Sequence, residues 1–145
     1  MHKRHLFRRG GFILTLAALA LTSQTSHAAG DPKRGAGEFT QDCAVCHSAM
    51  AGKNKMGPSL FAVVGRKAGS IADFVYSEAM KQSRIDWTPD KLDAFITNPK
   101  QVVPGNKMPF GGISEEQERA DIVVLIRGAA IAVGLQRTIQ SKHAN

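Results

Sequence analysis

The sequence predicts a small all-α domain of three to five helices joined by long loops. Three observations carry that prediction. Helix-start signals recur at Asp31-Pro32, Thr88-Pro89-Asp90 and Ser114-Glu115-Glu116-Gln117, each placing a capping side chain or a proline where helices begin. No stretch shows the sustained alternation of a half-buried strand. The segments 48–70 and 102–112 are rich in Gly, Pro or Lys and read as irregular. Loops of that length are uncommon in a compact domain unless they wrap something.

Taken in order, residues 1–28 read as a secretory signal peptide. His2, Lys3, Arg4, His5, Arg8 and Arg9 make a basic start, Phe12 to Leu21 an apolar run, and Ser26-His27-Ala28 a small-residue cleavage position. The run is short for a membrane span. Gly10-Gly11 displaces it from a twin-arginine pattern, so Arg8-Arg9 reads as ordinary leader charge. Residues 29–130 form the folded domain. Its first helix starts at Asp31-Pro32 and runs to about Asp42, with Gly35 and Phe39 on one face. Gly57-Pro58 and Gly65-Arg66-Lys67-Ala68-Gly69 mark turns. A short helix is predicted from about Ser77 to Gln82. A clearer one starts at Thr88, shows Leu92, Phe95 and Ile96 as its stripe, and stops at Asn98-Pro99. A capping box at Ser114–Gln117 opens the last helix, with Ala120, Val123 and Val124 along it. Residues 131–145 form a C-terminal extension, in which Gly134 and the polar Gln140-Ser141-Lys142-His143 argue for fraying.

The net charge of +7 is largely the leader's. Residues 1–28 hold four of the 19 Lys/Arg and none of the 12 acids, which leaves the remainder at +3. The base-stacking aromatics and clustered arginines of a nucleic-acid binder are missing, so nucleic acid is not expected as a partner.

Cys43-Ala44-Val45-Cys46-His47 contains both cysteines of the chain. The pattern is that of c-type haem attachment. Each thiol adds to one of two vinyl groups on a single porphyrin edge. Two intervening residues span that gap, and His47 then faces the iron as proximal ligand. The rivals are a thioredoxin-like redox pair, half a zinc site, or chance. A redox pair needs a βαβ context and a zinc site needs more Cys or His nearby. An exported pair of cysteines ordinarily reads as a disulfide. With haem the sulfurs become thioethers, and the cofactor becomes part of the core.

A second iron ligand is sought among the methionines. Met50 and Met56 follow His47 too closely to reach the opposite ring face. Met80 falls in the short helix and reads as core filler. Met108 lies in Pro104-Gly105-Asn106-Lys107-Met108-Pro109-Phe110, where flanking prolines limit the freedom of the loop.

The ordered motifs Cys43–His47, Met56-Gly57-Pro58-Ser59-Leu60, Gly65–Gly69, Ile85-Asp86-Trp87, Asn98-Pro99-Lys100 and Pro104–Met108 cover residues 30 to about 128. In these motifs the chain resembles the class I cytochromes c, especially the mitochondrial-type and bacterial cytochrome c2 group. The resemblance implies the small single-domain cytochrome c fold, helices wrapped around one covalent haem. It implies Cys43 and Cys46 as thioether cysteines, His47 as proximal and Met108 as distal ligand, and Pro58 as the carbonyl that holds the histidine. Arg66, Tyr76, Trp87 and Asn106 match residues that hydrogen-bond the haem propionates, and Gly35 and Phe39 match the crossing of the first and last helices. The chain departs from the pattern at Phe95, where mitochondrial proteins carry a tyrosine near the ligand sulfur. It departs also at Leu125, in place of a common aromatic, and at Met80, in place of a polar residue.

With both axial positions filled, the resemblance implies a one-electron carrier and no enzyme. The leader places it in the periplasm, as a monomer between respiratory or photosynthetic partners in membrane complexes. Methionine opposite histidine raises the reduction potential. Lys55, Lys100 and Lys107 match docking positions around the haem edge, but Asp42, Gln101, Glu115 and Glu116 occupy other ring positions, so steering is expected to be weak. Two rival functions remain: a haem sensor with a displaceable Met108, and a dedicated haem subunit of an oxidoreductase.

Overall fold

Asp31 opens the first helix by accepting the backbone N–H groups of Lys33 and Arg34 at 2.7 and 3.4 Å, with Pro32 as the first helical residue. This is seen in a computed structural model that describes residues 29–143, with side chains as far as residue 129. The leader, residues 1–28, lies outside the described residues. Helix α1 spans Pro32–Glu38 and then widens into a π-turn, Phe39–Cys43. The helical run thus ends at Cys43, close to the expected Asp42, but its last turn is π rather than α. Ala44 N–H bonds five residues back, to Phe39 O at 2.8 Å, and the extra residue in that turn rotates Cys43 away from the regular α-helical course.

Four more helices follow: α2 Glu78–Gln82, α3 Pro89–Thr97, α4 Pro99–Val102 and α5 Glu116–His143. Ser77 and Thr88 cap α2 and α3 by accepting from Met80 N–H and Lys91 N–H, both at 3.2 Å. Asn98 ends α3, as predicted. It also caps α4, a helix the sequence reading omitted, by accepting from Gln101 N–H at 3.1 Å. A proline that stops one helix is equally suited to start the next. Helix α5 opens at Glu116, two residues past the expected cap, and Gln117 turns its amide across to Ala29 O (3.1 Å) and Asp121 Oδ1 (2.9 Å). It continues to His143 rather than fraying after residue 129, since a lone Gly134 costs only about 1 kcal/mol among good helix formers.

The all-α expectation holds. The sole β feature among the described residues is one antiparallel bridge, Lys67 to Asp86. Bonds from Ala68 N–H to Ile85 O (2.7 Å) and from Trp87 N–H to Arg66 O (3.0 Å) extend it, clamping the 59–70 loop beside Trp87.

Helices α1 and α5 cross at Gly35. A Cβ on Gly35 would lie 2.2 Å from Asp121 O, so only glycine permits this approach. Phe39, one turn on, joins a core of Val63, Trp87, Leu92, Phe95, Val103, Val123 and Ile126. The Trp87 and Phe95 rings meet at 5.0 Å, tilted by 59°. Asp121 is completely buried in the crossing. Its carboxylate receives Asp31 N–H (2.5 Å), Arg34 Nε–H (2.7 Å) and Nη2–H (3.0 Å), and the Gln117 amide. Arg119 ties α5 to α3 through Asp93 at 2.8 Å.

Candidate haem site

The π-turn delivers Cys43 to the wall of a cavity of about 330 Å³. A tight turn follows, with Cys46 and His47 both donating N–H to Cys43 O at 3.1 and 2.8 Å. This fold-back brings both free thiols and the imidazole to the same cavity. Burial and the neighbouring Asp42 push the Cys43 thiol up to about 12.

His47 is buried, and its Nδ1 lies 2.7 Å from Pro58 O. A carbonyl only accepts, so Nδ1 carries the hydrogen. Burial pulls the ring's pKa down, outweighing the Pro58 bond that raises it, so the imidazole is neutral. Nε2 is then left with a lone pair, which is the state a metal requires. Gly57 makes this packing possible: a Cβ there would sit 2.3 Å from His47 Cε1. Gly57 N–H bonds Cys46 O at 2.8 Å, and Ser59 N–H bonds Asn54 Oδ1 at 2.9 Å, so the loop is fixed under the ring.

Met108 reaches the same cavity from the loop after α4. Asn106 holds that loop. Its amide donates to Pro99 O (2.8 Å) and Val103 O (2.9 Å), and its Oδ1 accepts Met108 N–H (2.9 Å). Val63, Leu92, Phe95 and Ile113 make the walls apolar, and Met80 and Phe110 also line them. Arg66, Tyr76 and Trp87 line the cavity as well. Arg66 is half-buried and donates only to backbone, to Phe61 O at 3.0 Å and Ser59 O at 2.8 Å. Burial pulls its pKa down, and no carboxylate pairs with it among the described residues. Burial raises the Tyr76 phenol, with the nearby Arg66 opposing. Of the lysines expected at docking positions, Lys100 and Lys107 are exposed, while Lys55 turns its ammonium back onto Ala44 O.

The residues fit a haem. Two thiols and an unprotonated imidazole nitrogen meet at an apolar cavity, beside a half-buried guanidinium whose charge no carboxylate neutralises. All nine residues expected from the sequence line this one cavity. The sequence reading had taken Gly57 only as a turn and assigned Asn106 to the propionates. The signal for Gly57 was its place directly before Pro58, where bulk would strike the ring that Pro58 holds.

Comparison with known proteins agrees with this geometry. Residues 30–126 match a family model described as cytochrome C oxidase, cbb3-type, subunit III. Cytochrome c of Cochliobolus lunatus is 44% identical over 98 residues, covering 67% of this chain and 91% of that protein. Cytochrome c2 of Rhodomicrobium vannielii is 43% identical over 115 residues, covering 79% and 91%. The chain belongs to the class I cytochromes c. Cytochrome c2 of Rhodopila globiformis, 45% identical over 97 residues, is a further relative. As a class I cytochrome c the chain carries haem c covalently on Cys43 and Cys46, and it is an electron carrier rather than an enzyme.

Proposed function

We propose that this cytochrome shuttles electrons in the periplasm, as a free monomer, through a haem iron that His47 and Met108 would hold. The observation that carries the ligand assignment is that an imidazole with a free Nε2 and the Met108 thioether enter one apolar cavity from separately anchored loops. Bound haem iron supplies a one-electron couple, and the chain's own residues set its surroundings. Pro58 fixes the tautomer of His47 and makes it more basic. Asn106 limits the travel of the Met108 loop. The apolar walls exclude water. Arg66, Tyr76 and Trp87 would hold the haem propionates, where Arg66 offers the positive charge a buried carboxylate needs. The leader-like first 28 residues support export. Exposed Lys100 and Lys107 steer membrane-bound respiratory or photosynthetic complexes to the haem edge.

Spectra of the haem-loaded parent and Met108→Ala test the ligand set. The parent shows the weak far-red band of a sulfur–ferric bond and, when reduced, resists carbon monoxide at neutral pH. The variant loses the band and binds carbon monoxide promptly. A parent without the band, or one that takes up carbon monoxide at once, overturns the reading in favour of a ligand sensor. The description of the matching family model favours a second reading, a haem subunit bound to one oxidase. A stoichiometric complex surviving purification establishes that reading instead.

A further inference from the structure

The Pro58 C=O and the Ser59 N–H belong to one peptide unit, and that unit is hydrogen-bonded at both ends. Its carbonyl lies 2.7 Å from His47 Nδ1, and its N–H donates to Asn54 Oδ1 at 2.9 Å. The peptide is trans, so its C=O and N–H point in opposite directions. Asn54 therefore stands on the far side of this peptide from the imidazole. A line of hydrogen bonds runs from its side chain, through one backbone amide, to His47.

The surroundings hold this line still. Ser59 is only 3% exposed, so water does not take the place of Asn54 as acceptor. Ser59 Oγ donates to Met50 O at 2.6 Å and accepts Phe61 N–H at 3.2 Å. Ser59 O accepts Arg66 Nη2–H at 2.8 Å, and Lys55 N–H closes the turn on Gly57 O at 2.9 Å. The peptide plane is thus fixed from several sides, and the Asn54 bond adds polarisation to an orientation already set.

Hydrogen bonds in a line polarise one another. An acceptor on Ser59 N–H draws the amide towards its charge-separated form, which places more negative charge on Pro58 O. That oxygen pulls harder on the Nδ1–H of His47, and the imidazole becomes more electron-rich at Nε2. We infer that Asn54 is a positioning residue for the redox centre: acting through the Pro58–Ser59 peptide, its amide oxygen makes His47 a stronger donor to iron and lowers the reduction potential. The inference rests on His47 as an iron ligand and adds a residue that touches neither the ring nor the cofactor.

The test is redox titration of haem-loaded Asn54→Leu, Asn54→Asp and Lys53→Gln beside the parent, with thermal melts of each. Cooperative strengthening of about 10–30% per bond puts the effect of Asn54→Leu at about twofold to fourfold in the ratio of ferrous to ferric protein, or roughly 20–35 mV upward. Asn54→Asp keeps an acceptor and strengthens it, so the fold survives and the potential falls. Lys53→Gln makes the same change in net charge at the neighbouring exposed residue, outside the line, and lowers the potential less. If Asn54→Leu fails to load haem, the comparison of Asn54→Asp with Lys53→Gln decides. A lowered Tm with an unchanged potential in Asn54→Leu marks a purely structural tie and overturns the inference. A shift in Asn54→Asp no larger than that in Lys53→Gln marks through-space charge and overturns it too. His47→Ala with an unaltered haem spectrum fails the ligand reading itself, and the inference with it.

Discussion

Asp121→Asn tests whether the buried carboxylate at the α1–α5 crossing holds the fold closed. Oδ1 accepts from Asp31 N–H, Arg34 Nη2 and the Gln117 amide, and Oδ2 accepts from Arg34 Nε. An asparagine oxygen can keep the three Oδ1 bonds in weaker, uncharged form. Its NH₂ group then faces the Arg34 Nε–H, donor against donor, and that bond is lost. Hydrogen bonds to charged groups contribute about 1.5–3 kcal/mol each, but Arg34 is half exposed and can turn to water, so the net loss is about 2–3 kcal/mol. For a domain of this size that lowers Tm by roughly 10–15 °C. Arg34 and the other donors hold the carboxyl at about 2, below its ordinary 3.8. The folded state therefore binds fewer protons than the unfolded one. The stabilisation is complete above the unfolded value and is lost as pH falls towards 2. Thermal melts of the haem-loaded parent and variant, followed by far-UV circular dichroism at pH 7 and at pH 3, read both effects. The gap between the curves is wide at pH 7 and narrows at pH 3. A variant melting within about 2 °C of the parent at pH 7, or a gap that ignores pH, refutes the reasoning.

Three further outcomes follow from the packing. Gly57→Ala drives a methyl into the His47 ring and breaks its bond to Pro58, so the yield of haem-loaded protein falls and the fraction that forms has a higher potential by redox titration. Gly35→Ala presses on the backbone of Asp121, which cannot step aside as a side chain would; denaturant titration gives a loss of about 3 kcal/mol with little change in the haem spectrum. Burial and the nearby carboxylates of Asp42 and Glu38 raise the Glu118 pKa, so the folded state binds more protons and stability is lost as pH rises through the ordinary glutamate range. Glu118→Gln accordingly melts above the parent at pH 7 and close to it at pH 4, and an advantage of equal size at both pH values counts against that account.

The site was legible because its chemistry is local. Two thiols and a histidine at fixed spacing, a proline after a glycine and a methionine between prolines state their constraints within a few residues. The caps at Asp31 and Thr88 were readable for the same reason. Long-range features were not. Asp121 sits in an apolar helical stretch and reads as one charge facing water. What buries it are Asp31 and Arg34, about 90 residues earlier in the chain. The π-turn that ends at Cys43 has no composition of its own and shows only in the bond from Ala44 N–H to Phe39 O. Helix α4 escaped notice because Asn98-Pro99 reads first as a stop, and the restart rests on the asparagine side chain serving both helices.

The partner that seals α1 lies 90 residues further along the chain. Asp31 and Gly35 both wait for Asp121, which follows them by some 90 residues. Contacts between distant segments form late, because loop closure must be overcome first. Cys43 and Cys46 follow α1 directly, so they stay reachable throughout that wait. Joining haem to these two thiols therefore does not wait on closure of the distant α1–α5 crossing.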